Sequence, residues 1–377
     1  MSSAACILAA KRSPVVPRAG AFAHLEPHDI AAPVIAALLT DAGMDGADVN
    51  EVIVGNALSG GGNLARVVAL AAGLPDHIGA ITIDTQCCAG LDAIMLAKAL
   101  IKSGERRVVI AGGVESYSRA PHRLRRAKAP GEAAQEYARP AFTPWPDRDP
   151  DMLEAAAQLA QVSSVSRAVQ EDYAIRSHAK ALAPHDWSSE IVPLAGLARD
   201  VFARPLSAAL CARLPVLAGD EAHGVTAATI AVEADAAALV LVVAEELAER
   251  FAPRPLARIV AGARVNGDPA MPPLAPIKAA RHALMLAGFD AERCTHVEIM
   301  EAFAVQAMAC ADAFGFDPAR INRPGGALSR GHPIGASGAI LAVRLWHELQ
   351  ASKAGASGLA MIAAAGGLGS AMILERV

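Results

Sequence analysis

The chain has 377 residues, of which 53% are hydrophobic, 19% charged and only 4% aromatic. That apolar content excludes intrinsic disorder, and the length is enough for two or three domains rather than one core. Lys and Arg total 34 against 38 Asp and Glu, a net charge of -4, which gives no electrostatic case for nucleic acid.

A first strand is expected over 4–10, followed by a turn at Ser13-Pro14. The first 25 residues carry Lys11, Arg12 and Arg18 and no acid before Glu26, a composition that also suits a transit peptide; the strand is preferred. Strands are expected at 52–55 and 80–83, a helix at 90–102 with Leu91, Ile94 and Met95 on one face, and a buried strand at 107–111 ending in Gly112-Gly113. Lys98 interrupts the apolar stripe of that helix. Strand–helix–strand alternation of this kind points to an α/β architecture.

Residues 119–150 differ in composition. Six prolines and the cluster Arg123, Arg125, Arg126 and Lys128 mark an exposed excursion. The basic cluster reads equally as a solvated loop and as a patch for phosphate or an acidic partner. Residues 152–182 then read as helical. Toward the C-terminus, a helix at 338–349, a strand at 359–363 and Gly366-Gly367 repeat the order seen at 90–113, so two similar α/β halves are expected. Mean hydropathy is +0.32, and 354–374 is long enough to span a bilayer. Its glycines make two buried strands around a turn the better reading. The six cysteines include no C-x-x-C pair, and no secretory signal is visible, so free thiols in a reducing cytoplasm are expected.

Several segments are candidates for chemistry. Cys87, in Gln86-Cys87-Cys88-Ala89-Gly90, stands where a strand gives way to a helix, and a helix N-terminus lowers a thiol pKa from about 8.5. Taken alone, such a thiol reads as a buried structural cysteine. His332, held between Gly331 and Pro333 just before a helix, is the most specialised of eleven histidines. It is placed to face a cavity, polarise an oxyanion or exchange a proton with a thiol. His178 and His347 read as surface or satisfied residues on helices. The segment 296–304 reads as a strand running into a helix that carries Glu301 and Phe303. The turn at 363–369 could form an anion nest, but by itself reads better as a tight hairpin with no ligand. The loop 59–63 lacks the Lys-Ser/Thr ending of a phosphate loop, and no nicotinamide fingerprint or metal-ligand spacing appears.

As a set, "AAKRSPV" (9–15), "VGNALSGGGNLAR" (54–66), "TQCCAGLDA" (85–93), "VIAGGVESYSRAPH" (109–122), "MEAFAVQ" (300–306), "GGALSRGHPIGASG" (325–338) and the ending "ILERV" resemble the thiolase family. They fall in order and cover nearly the whole chain outside 123–222. The resemblance implies a duplicated five-layer αβαβα fold with an inserted loop domain. Its parts would be 1–118 with 235–255, the insertion 119–234, and the second half 256–377. It implies an acyl-CoA substrate, an acyl-enzyme on Cys87 and assistance from His332. It also implies an oxyanion hole from the backbone N–H groups of Cys87 and Ala365, and Phe303 and Met152 at substrate-binding positions. A homodimer or homotetramer follows, with no cofactor other than coenzyme A as substrate.

Four positions depart from the family's pattern. Met300 replaces the Asn of N-E-A-F, which holds a water in the enolate hole. Ala363 replaces the second cysteine, the base for the α-proton and for CoA. Ala231 stands for the pantetheine-site Ser, and Asp151 for the His before Met152. One lost oxyanion donor costs about 10²–10³ in rate and one lost base about 10²–10⁴. The expectation is therefore acyl transfer from CoA or an acyl carrier protein, with the carbon–carbon step in doubt. Two other readings stand beside it: an ordinary acetyl-CoA or 3-ketoacyl-CoA thiolase that uses Cys88 or water as base, and a non-catalytic subunit of the same fold.

Overall fold

The molecule is described by a computed structural model covering residues 4–248, 250 and 256–377. The sequence-based boundary at 255–256 therefore falls partly outside the described residues.

Nine strands are labelled β1 Ala5–Arg12, β2 Glu51–Gly55, β3 Gly79–Ile83, β4 Val108–Glu115, β5 Ala234–Ala244, β6 Ala257–Arg264, β7 Cys294–Ile299, β8 Ser357–Ala364 and β9 Leu368–Arg376. The main helices are α1 Pro27–Ala42, α2 Leu64–Ala71, α3 Ala89–Ser103, α4 Met152–Val162, α5 Arg167–Leu182, α6 Ala275–Ala287, α7 Ala304–Asp312 and α8 Ile334–Gln350. The strands hydrogen-bond in the order β3-β2-β4-β5-β1-β6-β9-β8-β7, and the short strand Val16–Pro17 pairs with β5. At the centre β1 and β6 join through Cys6↔Arg258 and Ile7↔Ala257 among the described residues. On each side the pattern repeats. β1–β5 and β6–β9 are antiparallel, as are β5–β4 and β9–β8, whereas β4–β2 and β8–β7 are parallel. The duplication read in the sequence is thus a duplication of topology.

Period-two alternation sets the layers. On β5, Ala238, Val240 and Val242 join the central core, while Leu239, Leu241 and Val243 join the core under α1 and α2. On β8, Ala360 and Ile362 face the centre, while Leu359 and Met361 face α6 and α7. Helices α3 and α8 lie between the two sheet halves and contribute Leu91, Ile94, Ile340 and Leu345 to the shared core. This gives five layers. Burial on both faces explains why β5 reads as an unbroken apolar run from Ala236 to Ala244.

Several expected boundaries move for local reasons. The strand expected at 107–111 continues to Glu115 through Gly112 and Gly113, which lie against Ala238 and Gly335. The helix expected at 338–349 begins at Ile334. Lys98 stays in the half-buried stripe of α3 because its ammonium donates to the Val260 carbonyl at 3.0 Å. The helical stretch at 152–182 is two helices. Ser164 turns left-handed at φ 54°, and the Ser166 side chain caps α5 by accepting from Val169 N. Residues 354–374 contain the hairpin β8–β9, and among the described residues no helix is long and apolar enough to cross a membrane. Between β4 and β5 the chain leaves the sheet for an exposed loop, α4 and α5.

The central helices cross at glycines. A Cβ at Gly90 would lie 2.7 Å from Ala339 N, and one at Gly338 would lie 2.7 Å from Leu91 N. Gly90→Val should therefore destabilise the fold by about 1–3 kcal/mol, seen as a lower midpoint in urea unfolding. An unchanged midpoint would show that the crossing is not close-packed.

Candidate active site

Cys87 sits in a one-turn 3₁₀ helix, Gln86–Cys88, between β3 and α3. Gln86 is left-handed at φ 56°, and its backbone N–H is held by Asp84 Oδ1 at 2.9 Å. The turn is tethered on its other side through Asp92, which accepts from Thr85 Oγ1 at 2.7 Å and from Ser370 Oγ on β9 at 2.6 Å. Neighbouring thiols diverge. Cys88 is fully buried and its Sγ donates to the Ile362 carbonyl at 3.6 Å, while Cys87 stays partly accessible.

His332 comes from the other half of the molecule. Gly331 takes φ 114°, His332 N donates to Val232 O at 2.7 Å, and α8 starts two residues later. The ring brings Nε2 to 3.2 Å from Cys87 Sγ. Its Nδ1 lies 2.6 Å from Ser337 Oγ, and that hydroxyl donates to Pro333 O at 2.9 Å. With the hydroxyl donating to Pro333 O, Nδ1–H is the donor to Oγ. This assigns the tautomer and leaves the Nε2 lone pair facing the thiol.

The charge state corrects the expectation from the helix N-terminus. Burial pushes the Cys87 thiol up to about 12, with Glu115 and Asp84 adding to the effect. Burial alone pulls His332 down to about 4. Desolvating both groups outweighs the helix dipole, which supplies about 0.3–1 kcal/mol, and one pKa unit is about 1.4 kcal/mol. Burial therefore favours the uncharged form of each group.

Of the four positions singled out in the sequence, Met300 and Ala231 pack beside Cys87. Met300 is 1% exposed, in one cluster with Cys88, Ile362 and Ala364, against which Cys87 and Ala231 pack. Ala231 N donates to Ala302 O at 3.0 Å. Ala363 faces Gly369 across the hairpin, and Ala365 opens the turn whose Gly366 and Gly367 take φ 74° and 76°. Phe303 and Met152 share an adjoining apolar cluster. Asp151 is exposed and caps α4, accepting from Leu153 N at 2.8 Å. The segment 296–304 is corrected: β7 ends at Ile299 and α7 starts at Ala304, so Glu301 and Phe303 lie in the joint.

Some positioning groups carry no role in the sequence reading. Ser337 stands five residues after His332, inside the same motif. Buried Glu301 accepts from Ser177 Oγ and Asn322 Nδ2 at 2.7 Å each, from Leu328 N at 3.2 Å and from Tyr173 Oη at 3.2 Å. It thereby holds the segment leading to His332. The signal for it was an acid beside an apolar strand end. His178 accepts from Arg204 N and His347 donates to Ala10 O, both satisfied as expected. Arg125, Arg126 and Lys128 are exposed, and Arg123 donates to Ala57 O. Among the described residues, no group of three or more His, Cys, Asp or Glu could hold a metal ion.

A neutral pair makes a specific prediction. The rate of Cys87 alkylation by iodoacetamide, read by peptide mass with Cys87→Ala as control, should climb steadily from about pH 7 to about pH 10. A plateau reached near neutrality would mean a preformed thiolate–imidazolium pair.

Residues 5–246 match the thiolase N-terminal domain and residues 253–376 the thiolase C-terminal domain. The Bacillus subtilis protein "Putative acetyl-CoA C-acetyltransferase YhfS" is 38% identical, across 98% of this chain and 99% of its own length. The Staphylococcus aureus (strain MRSA252) protein "Putative acetyl-CoA C-acetyltransferase VraB" is 33% identical across 99% of each. The crystal structure of the Bacillus anthracis acetyl-CoA acetyltransferase superposes with a TM-score of 0.88 at 30% identity, covering 100% of this chain and 99% of that one. With both domains matched and the whole length covered, the chain belongs to the thiolase family of acyltransferases.

Proposed function

We propose that this thiolase-family protein carries an acyl group as a thioester on Cys87 and hands it to an acceptor that needs no second protein base. The observation that supports this is the 3.2 Å approach of Cys87 Sγ to His332 Nε2, with the tautomer fixed by Ser337. The Cys87 proton passes to Nε2 as sulfur attacks the thioester carbonyl of acyl-CoA or of an acyl carrier protein. The oxyanion is received by the Cys87 and Ala365 backbone N–H groups, positions carried over from the family. Collapse expels the donor thiolate, which takes the proton back from Nε2–H. One neutral imidazole suffices for this cycle, because each proton it accepts it returns.

Carbon–carbon bond formation asks for more. A proton must leave the α-carbon of a second substrate, and a second oxyanion must be held. Ala363 carries no ionisable group, and Met300 has only a thioether, a weak acceptor. Cys88 is a poor substitute, since its thiol is committed to Ile362 O in the core. An acceptor with an acidic proton of its own, such as a thiol, fits the remaining groups. The working protein is proposed to be a cytoplasmic homodimer or homotetramer, with coenzyme A as a substrate rather than a resident cofactor. Its parts are proposed as 1–118 with 235–255, the insertion 119–234, and 256–377.

Intact-protein mass after incubation with acetyl-CoA, and separately with a longer acyl-CoA, tests the reading. A gain of one acyl group that is lost in Cys87→Ala is expected. No gain with either donor or with an acyl carrier protein would favour a non-catalytic subunit. A second test restores the missing groups. Met300→Asn with Ala363→Cys should raise acetoacetyl-CoA thiolysis by about 10²-fold or more over the unaltered protein. Substantial thiolysis before the change would identify an ordinary thiolase.

A further inference from the structure

We infer that Glu115 is a positioning residue for His332: its carboxylate straps the first turn of α8 to the opposite half of the molecule and so sets the reach of Nε2 to Cys87.

Glu115 closes β4 and is 1% exposed. Its Oε2 accepts from Ala57 N at 3.0 Å and from Gly335 N at 2.9 Å. Its Oε1 accepts from Asn56 Nδ2 at 2.7 Å and from Leu58 N at 3.3 Å. Asn56 is itself fixed, donating from Nδ2 to Val114 O and accepting from Ser59 N. Gly335 lies three residues after His332 and two before Ser337, which holds His332 Nδ1. The strap and the tautomer lock therefore act on one helical turn. An anion at a helix N-terminus is common. Here it is supplied from 220 residues away and from the half that carries Cys87. Side chains are excluded at the contact, because a Cβ on Gly335 would lie 2.7 Å from Asn56 Cα and 2.9 Å from Glu115 Oε2.

All four partners are N–H donors. A protonated Glu115 would point a hydroxyl at a donor and lose at least one of these bonds. Burial pushes the carboxyl up to about 7; the Ala57, Gly335 and Leu58 N–H groups pull it down, and Asp84 raises it. The other titratable groups facing it are the Cys87 thiol and the Tyr117 hydroxyl. The sign follows. Above this value the strap is ionised and intact; as pH falls through it the carboxyl protonates and the first turn of α8 loosens. Misplacing a catalytic group by about 1 Å costs about 10²-fold.

The inference rests on the proposed acylation of Cys87 for its kinetic readout and on infrared titration for an independent one. Single-turnover acylation should lose rate below about pH 7 in the unaltered protein. In Glu115→Gln the amide NH₂ faces two of the donors at every pH. Acylation should then be about 10- to 10²-fold slower, with KM little changed and the limb near pH 7 gone. Asn56→Ala, which removes one donor, should move the limb to higher pH. The infrared carbonyl band of a protonated buried carboxyl, followed in a Glu298→Gln background because Glu298 is also pushed up to about 7, should titrate there and vanish with Glu115→Gln. If the unaltered protein takes no acyl group, this band and amide-exchange protection at 334–338 still decide the strap. Full acylation rate with an unchanged pH profile in Glu115→Gln would overturn the inference, as would a titrating band that survives the substitution or unchanged protection at 334–338.

Discussion

Everything at the site depends on the close crossing of α3 and α8. Two helices packed through ordinary side chains sit 8–10 Å apart. Gly90, Gly338 and Gly335 remove the side chains at the contact, so the backbones of the two halves meet. The N-terminus of α3 carries Cys87 and the N-terminus of α8 follows His332. Residues 245 apart in sequence therefore arrive at hydrogen-bond distance. Inserting side chains at the crossing would separate thiol and imidazole and unpack the core that α3 and α8 share.

That placement has an electrostatic consequence. The pair lies between two sheets, where ionising either partner costs desolvation. Burial therefore favours the uncharged form of both partners. Buried carboxylates around the site do the holding instead. Asp92 ties the Cys87 turn to Ser370 of the second half, and Glu115 ties the His332 helix to the first. Each half thus braces the other's member of the Cys87–His332 pair through a charge-assisted hydrogen bond. Such bonds are roughly twice as strong as neutral ones.

Much of this was legible in the sequence. The alternation of short apolar runs and helices gave the α/β class. The parallel between 90–113 and 338–367 gave the duplication, since buried strands and glycine punctuation survive divergence. Cys87 and His332 stood out because each occupies a turn with small or rigid neighbours. What was not legible was relational. The tautomer lock needs Ser337 one turn along α8, the Glu115 strap needs a partner 220 residues away, and no local periodicity encodes either. The break at Ser164 was hidden because Ser is tolerated in helices and only φ 54° marks the stop. The helix N-terminus beside Cys87 is visible in sequence, whereas the burial that opposes it, pushing the thiol up, comes from elements distant in the chain.

The same logic explains why the departures from the family's pattern leave the scaffold intact. A polar group lost from a buried site is costly when its partners stay behind unsatisfied. Met300 sits in an apolar cluster and Ala363 is a buried methyl, and their backbone groups remain in the β7–β8–β9 network. Asp151 keeps a polar job as a helix cap. None of these positions braces Cys87 or His332 through a hydrogen bond, whereas Ser337, Asp92 and Glu115 do so directly or through one intermediate. The hydrogen bonds that brace Cys87 and His332 are therefore separate from the side chains at 300 and 363. Those side chains can differ while the Cys87–His332 approach keeps its geometry.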